Sequence, residues 1–304
     1  FSGLEFDFIR QKNPEFIEIL RKLVNRKQVE ILGGGYYNPV FPLLFPQDRT
    51  GQVELLSSAI RKSVGKRPRG VSLCASAWDP SLVTSFETCG MEYVQLDSSL
   101  IPDDKNVFLP IVMADRGKSI KIISIQNEFI PKQNELPEDF IIRIKKAIEK
   151  KIKSSDFYQD ADRVITISLT RYSVNTVLEN NWLERFLELT VNQYSDDLKL
   201  SLPVNCVRNS KAFIQSYIHS GISSDIAKWV TEPFKEIEVK GSSVNIYDFM
   251  QTYKRSQALY NRMIFVSLLV NNCHGDKMRK KAAREYLWAA QNGDAYVCKS
   301  SGIL

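Results

Sequence analysis

Residues 67–97 read RPRGVSLCASAWDPSLVTSFETCGMEYVQLD, and their pattern is that of one β-α-β unit. Residues 71–75 form a short apolar run, as expected of a strand buried in a parallel sheet. Asp79 precedes Pro80: an N-cap residue, then proline at the first helical position, where its missing N–H costs nothing. Leu82, Val83 and Phe86 recur at helical spacing, and Gly90 ends the helix where the chain needs a positive φ. Residues 91–96 read as the next strand, with Asp97 at its C-terminal end. In parallel α/β folds that end carries function.

Working outward, PEFIEILRKLVNRK (14–27) predicts an amphipathic helix opened by Pro14, with Phe16, Ile17, Leu20 and Val24 on one face. Residues 28–32 predict a strand, and the glycines 33–35 a sharp turn or close backbone approach. Tyr36, Tyr37 and Asn38 then fall on a strand-to-helix loop, before a helix over 48–62. Downstream, two β-branched runs flank Asp115, Arg116 and Gly117, which predicts a hairpin. A lysine-rich helix is expected over 136–154, then strands over 164–169 and 198–202. From about residue 210 helical patterns take over, beginning with KAFIQSYIHSG. The alternation predicts an α/β fold, domain one spanning 1–209 and a helical domain 210–304.

Two stretches carry a resemblance to a known family. VEILGGGYYNP (29–39) and the 67–97 unit together resemble glycoside hydrolase family 57, of the 4-α-glucanotransferase and α-amylase type. That family shows GGGFYEP, then RPxGxWLAERVWEPSL, then a strand ending in Asp. The C-terminal YLWAAQNGDAYVCKSSGIL resembles its LxxAQCNDAYWHGxxGGIY segment. The resemblance implies an incomplete seven-stranded (β/α) barrel, its first strand upstream of Phe1, followed by an α-helical bundle.

The implied chemistry departs from the family. The nucleophile glutamate of the WLAER motif is Ala75 here, and the glutamate of FYEP is Asn38. The family's GDDGEKFG motif, which carries the acid/base, falls at Ser168, Leu169 and Thr170. No Asp or Glu lies between Arg163 and Leu178. A retaining glycosidase needs two carboxylates about 5–5.5 Å apart, one as nucleophile and one as acid/base. Alanine has no lone pair with which to attack, and serine, leucine and threonine cannot protonate a glycosidic oxygen at neutral pH. The resemblance therefore implies a catalytically degenerate member that still recognises an α-glucan or oligosaccharide. The substrate-binding residues it implies are Tyr37, Asn38, Trp78, Asp97, Trp288, Gln291, Asn292, Asp294 and Tyr296. Several have a plainer role: packing for Tyr37 and Trp78, a rim anchor for Asp97, helix capping and interdomain bonds for the 291–296 group. Two alternatives stay open: an active α-1,4-glucan hydrolase or transferase using displaced carboxylates, and a structural or partner-binding protein with a closed cleft.

Composition narrows the classes further. The chain has 304 residues, is 43% hydrophobic and 25% charged, and carries a net charge of +6. Its basic stretches, RIKKAIEKKIK and KMRKKAAR, lack interleaved aromatics, so solvated helix faces are expected rather than a nucleic-acid surface. No apolar run approaches the roughly 18 residues of a membrane span. Five scattered cysteines without CxxC spacing predict reduced thiols in a cytoplasmic protein. Two histidines, His219 and His274, without a ligand pattern predict no metal site, and no cofactor motif occurs.

Overall fold

The computed structural model describes residues 1–102, 107–152, 162–169, 171–231 and 244–297. Its centre is a sheet of five strands in the order β1-β2-β4-β3-β5. They are β1 (Gly70–Val71), β2 (Tyr93–Asp97), β3 (Ile111–Asp115), β4 (Lys118–Ile125) and β5 (Ile214–Gln215). β1, β2 and β4 run parallel, and β3 folds back on β4 as the expected hairpin. Arg116 (φ 49°) and Gly117 (φ 77°) make its turn, both left-handed as a tight hairpin requires.

Side chains alternate across β2. Val94 and Leu96 point to the main core, with Phe86 from the flanking helix, Ile120 and Ile122 from β4, and Phe140. Tyr93 points to the opposite face, where it meets Ile123, Val207, Leu32, Val164 and Val204 in a smaller inner cluster. Gly70 makes room for it: a Cβ there would lie 2.2 Å from the Tyr93 ring.

Helices α1 (Gly3–Lys12), α2 (Pro14–Asn25) and α3 (Pro46–Val64) precede β1. The apolar face of α2 packs Ile17, Leu20 and Val24 against Leu56, Ile60 and Val64 of α3. α4 (Leu82–Thr88) joins β1 to β2 as the β-α-β reading expects, with Gly90 at φ 74° after it. The Asp79 carboxylate accepts from the Ser81 N–H at 2.9 Å, so it closes the turn that leads into α4. α5 (Pro137–Ile152), α6 (Arg171–Leu178), α7 (Trp182–Asn192) and α8 (Pro203–Asn209) follow the hairpin. The helical region holds α9 (Ser224–Thr231), α10 (Ile246–Thr252), α11 (Lys254–Asn272) and α12 (Lys277–Ala290). The fold is an incomplete (β/α) barrel with a helical region, as expected.

Four local expectations are corrected. The strand over 71–75 stops at Val71, because Ala75 (φ 59°, ψ 15°) leaves the β region and 74–76 coil into a 3-10 turn. Residues 28–32 form no strand: 28 is a bend, 29–32 carry no regular structure, and the chain meets the sheet at the Gly33–Val71 bridge. Residues 164–169 and 198–202 likewise form no strand: the Gln126 side chain takes the Thr166 N–H at 2.9 Å, and helix-start contacts take the Leu202 carbonyl. KAFIQSYIHSG is not helical. Ile214, Ile218 and Ile222 mimic a helical repeat at every fourth residue, yet Ile214 pairs with Ile111 and the other two are fully buried.

Candidate functional site

Asp97 ends β2 at the C-terminal side of the parallel strands, where the sequence placed it. Its carboxylate is fixed: one oxygen accepts from the Ser99 N–H at 2.9 Å, the other from the Asn127 side-chain amide at 2.7 Å. Asp97, Asn127, Glu128 and Ser224 line a cavity of about 270 Å³ at this end. Ser224 opens α9, so the helical region contributes to its wall.

Ala75 lies on the loop after β1. It holds a left-handed backbone, uncommon for a residue with a Cβ. The Ser223 N–H bonds its carbonyl at 3.0 Å, and its methyl packs against the core of the helical region. Its neighbour Cys74 is half-buried, and desolvation pushes the thiol up to about 12. Ser168 belongs to the segment whose Ile165 and Ile167 pack on the main core. Ser168 itself is half-buried. Leu169 is exposed, and Thr170 lies outside the described residues.

Asn38 takes a left-handed turn (φ 47°), and with glycines 33–35 and Ser72 it lines a second cavity of about 410 Å³. Tyr37 is half-buried, edge-on to Tyr36 at 4.9 Å, with its N–H bonded to Gln52 at 3.0 Å. Burial raises its phenol above the ordinary value.

The remaining predicted residues do not line these cavities. Trp78 is 1% exposed, its indole N–H spent on the Ile218 carbonyl at 3.1 Å, so it presents no face to a ligand. Tyr296 is 2% exposed and donates to the Ala290 carbonyl at 2.7 Å. Asn292 caps the turn that follows it through the Asp294 N–H at 2.9 Å, while the Asp294 side chain stays exposed. Gln291 and Trp288 serve an unforeseen partner, Asp48. This buried carboxylate, in the first turn of α3, accepts from Trp288 Nε1 at 3.2 Å and Gln291 Nε2 at 3.0 Å. Ser267 Oγ adds a third bond at 2.5 Å. Gln52, one turn along, donates to Gln291 Oε1 at 3.1 Å. The polar cluster at 288–292 is thus the joint between barrel and helical region.

Asp48 carries no local signal, because an acid in a helix's first turn is ordinarily a solvated dipole partner. Asn127 is not among the expected site residues either. Its signal would have been its place two residues after the strand beside Asp97. Among the described residues no group of His, Cys, Asp or Glu is arranged to hold a metal ion.

A partly closed barrel with polar side chains at its strand ends, walled on one side by a helical region, defines an incomplete (β/α)-barrel scaffold. Residues 1–212 match the model of Glycosyl hydrolase family 57, and the chain belongs to that family. Alpha-amylase 1 of Dictyoglomus thermophilum is 26% identical over 325 residues, covering 97% of this chain and 46% of that protein. The 4-alpha-glucanotransferase of Thermococcus litoralis is 27% identical over 327 residues, covering 97% and 47%. The crystal structure of 4-alpha-glucanotransferase from that organism superposes with a TM-score of 0.75 at 23% identity, over 100% of this chain and 50% of the other. The alpha-amylase AmyC of Thermotoga maritima gives 0.66 at 14% identity, over 96% and 66%. The chain spans about half the length of the curated relatives it matches.

Proposed function

We propose that this chain recognises α-glucan without cleaving it. Family membership supports the substrate class, since the relatives carry the names alpha-amylase and 4-alpha-glucanotransferase. The observation that carries the second half is Ala75: a partly buried methyl packed against the cluster shared with the helical region stands where the family resemblance calls for a nucleophile. The acid/base position offers Ser168 and Leu169, neither of which can donate a proton to a leaving oxygen at neutral pH. Recognition falls to the fixed groups at the strand ends, Asp97 and Asn127 in one cavity and Asn38 in the other. The four described cysteines are free thiols, which suits a reducing, cytoplasmic compartment.

Titration calorimetry with maltooligosaccharides tests this reading. The expected result is a dissociation constant of about 1 mM, weakened at least tenfold by Asp97→Ala. No heat at saturating ligand, with the variant indistinguishable, would leave a partner-binding protein in its place.

A second reading has one observation in its favour: Asp97 and Glu128 line the same cavity. They are the carboxylates a displaced acid/nucleophile pair would use. Release of reducing sugar or of transfer products, abolished by Asp97→Asn, would establish that reading and overturn the first.

A further inference from the structure

A groove of about 350 Å³ lies where α3, α11 and α12 meet, and its lining shares no residue with the cavities at Asp97 and Asn38. Gln47, Thr50, Gly51 and Glu54 enter it from α3, one or two turns apart and so on one face of that helix. Asn271 enters from the last turn of α11, and Arg284 and Trp288 from successive turns of α12. The volume falls within the range of small-ligand clefts, about 300–1,000 Å³.

Trp288 is fixed before any ligand arrives. Its indole N–H donates to Asp48 Oδ1 at 3.2 Å. The backbone of α3 passes so close that a Cβ on Gly51 would lie 2.3 Å from the ring. Glycine weakens a helix interior, so α3 gives up local stability to let the indole lie against it. The ring is nevertheless only half-buried, and it borders the groove.

The groups around it have hydrogen-bonding capacity to spare. The Arg284 guanidinium, 5.9 Å from the ring centroid, makes no ion pair or hydrogen bond among the described residues. The Asn271 side-chain amide donates to Ser267 Oγ at 3.1 Å, and among the described residues its oxygen receives no donor. The Glu54 carboxylate is held by Arg67 at 2.7 Å through both oxygens.

We propose that this groove is a second saccharide site, which takes a stretch of α-glucan other than the one held at Asp97. The ligand class rests on the function proposed above. A pyranose presents an apolar C–H face, which suits a fixed indole, and hydroxyls that both donate and accept, which suit Arg284, Asn271 and Glu54. An apolar ligand would leave those three groups unpaired, and the carboxylate of Glu54 disfavours an anion beside Arg284.

Two NMR signals of the intact chain separate this site from the first: the indole N–H of Trp288 and the side-chain amide of Asn127. Titration with maltoheptaose is expected to shift the Trp288 signal with a Kd of about 10 mM, tenfold weaker than at Asp97. That response should persist in Asp97→Ala and weaken about fivefold in Arg284→Ala. A silent Trp288 with a responding Asn127 overturns this inference and leaves the proposed function standing. A responding Trp288 with a silent Asn127 supports the second site and removes the first. The inference also fails if both signals are silent, if Asp97→Ala abolishes the Trp288 shift, if Arg284→Ala leaves it unchanged, or if inorganic phosphate reproduces it.

Discussion

The carboxylate of Asp48 and the side-chain amide of Gln291 meet at 3.0 Å across 243 positions of sequence. Gln291 is 1% exposed and Asp48 is as deeply buried, so this bond replaces water on both sides of the joint. Asp48→Ala strands the donors of Trp288, Gln291 and Ser267 in the interior. Each buried donor left unmade costs about 1–3 kcal/mol, and we expect a loss of roughly 3–5 kcal/mol in chemical denaturation. Asp48→Asn should cost less, because an acceptor remains. A loss below about 1 kcal/mol for alanine would show that water repairs the joint.

Ala75→Glu alone should not confer glucan cleavage. The acid/base position remains without a carboxylate, and paired catalytic groups act as a unit. The new side chain would also sit on a left-handed backbone among the apolar contacts of the helical region. Reducing-sugar release by this variant would mean that a working acid already faces position 75.

Trp78→Phe should separate core from cleft. It forfeits the bond to the Ile218 carbonyl and part of the packing, at about 1–3 kcal/mol of stability. Because the ring is buried, maltooligosaccharide affinity should stay within about twofold of the parent chain, about 0.4 kcal/mol. A tenfold loss would return Trp78 to the ligand site.

Cysteine chemistry should differ along the chain. Cys74 is half-buried with its thiol pushed up to about 12, so little thiolate forms at mildly basic pH. Cys273 is exposed. Mass spectrometry after brief iodoacetamide treatment of the folded protein should find Cys273 alkylated and Cys74 unmodified. Early labelling of Cys74 would show that the helical region opens readily from the barrel.

Glu30 gives stability a pH dependence. Burial raises its carboxyl above the ordinary 4.5, against the opposing bond from the Val204 N–H. The folded state therefore holds this proton to higher pH than the unfolded state does. The group's contribution is full below 4.5 and is lost as pH rises through the folded value. Glu30→Gln keeps an acceptor for Val204 and cannot ionise. Its stability relative to the parent should improve between about pH 4 and pH 7 in parallel urea melts. An unchanged difference across that range would show that Glu30 ionises as freely as in the unfolded chain.

The central unit was legible because its signals are local. Gly90 marks the exit of α4 and the alternation of β2 reports its two faces, whereas Asp79, expected as the N-cap, closes the turn before the helix and Ser81 stands at the cap. Asp97 at the end of β2 followed from strand direction alone. The errors came where distant contacts override local pattern. KAFIQSYIHSG has a helical repeat but is held extended by β3 and by Trp78. Residues 164–169 are β-branched, yet a side chain of Gln126 occupies the backbone donor a neighbouring strand would use. The 288–296 cluster was read as a ligand wall because its polar residues need partners. The partner, Asp48, is supplied by a helix some 240 positions away. Nothing in the local sequence of either segment names the other.

The joint around Asp48 also bears on how the chain folds. Its bonds to Ser267, Trp288 and Gln291 close loops of 219, 240 and 243 residues. Such contacts carry the entropy of loop closure before they return any gain, so they form late and slow the approach to the native state. Interactions absent from the transition state act on the unfolding rate. Weakening this joint should therefore shorten the lifetime of the folded chain while leaving its refolding rate nearly unchanged.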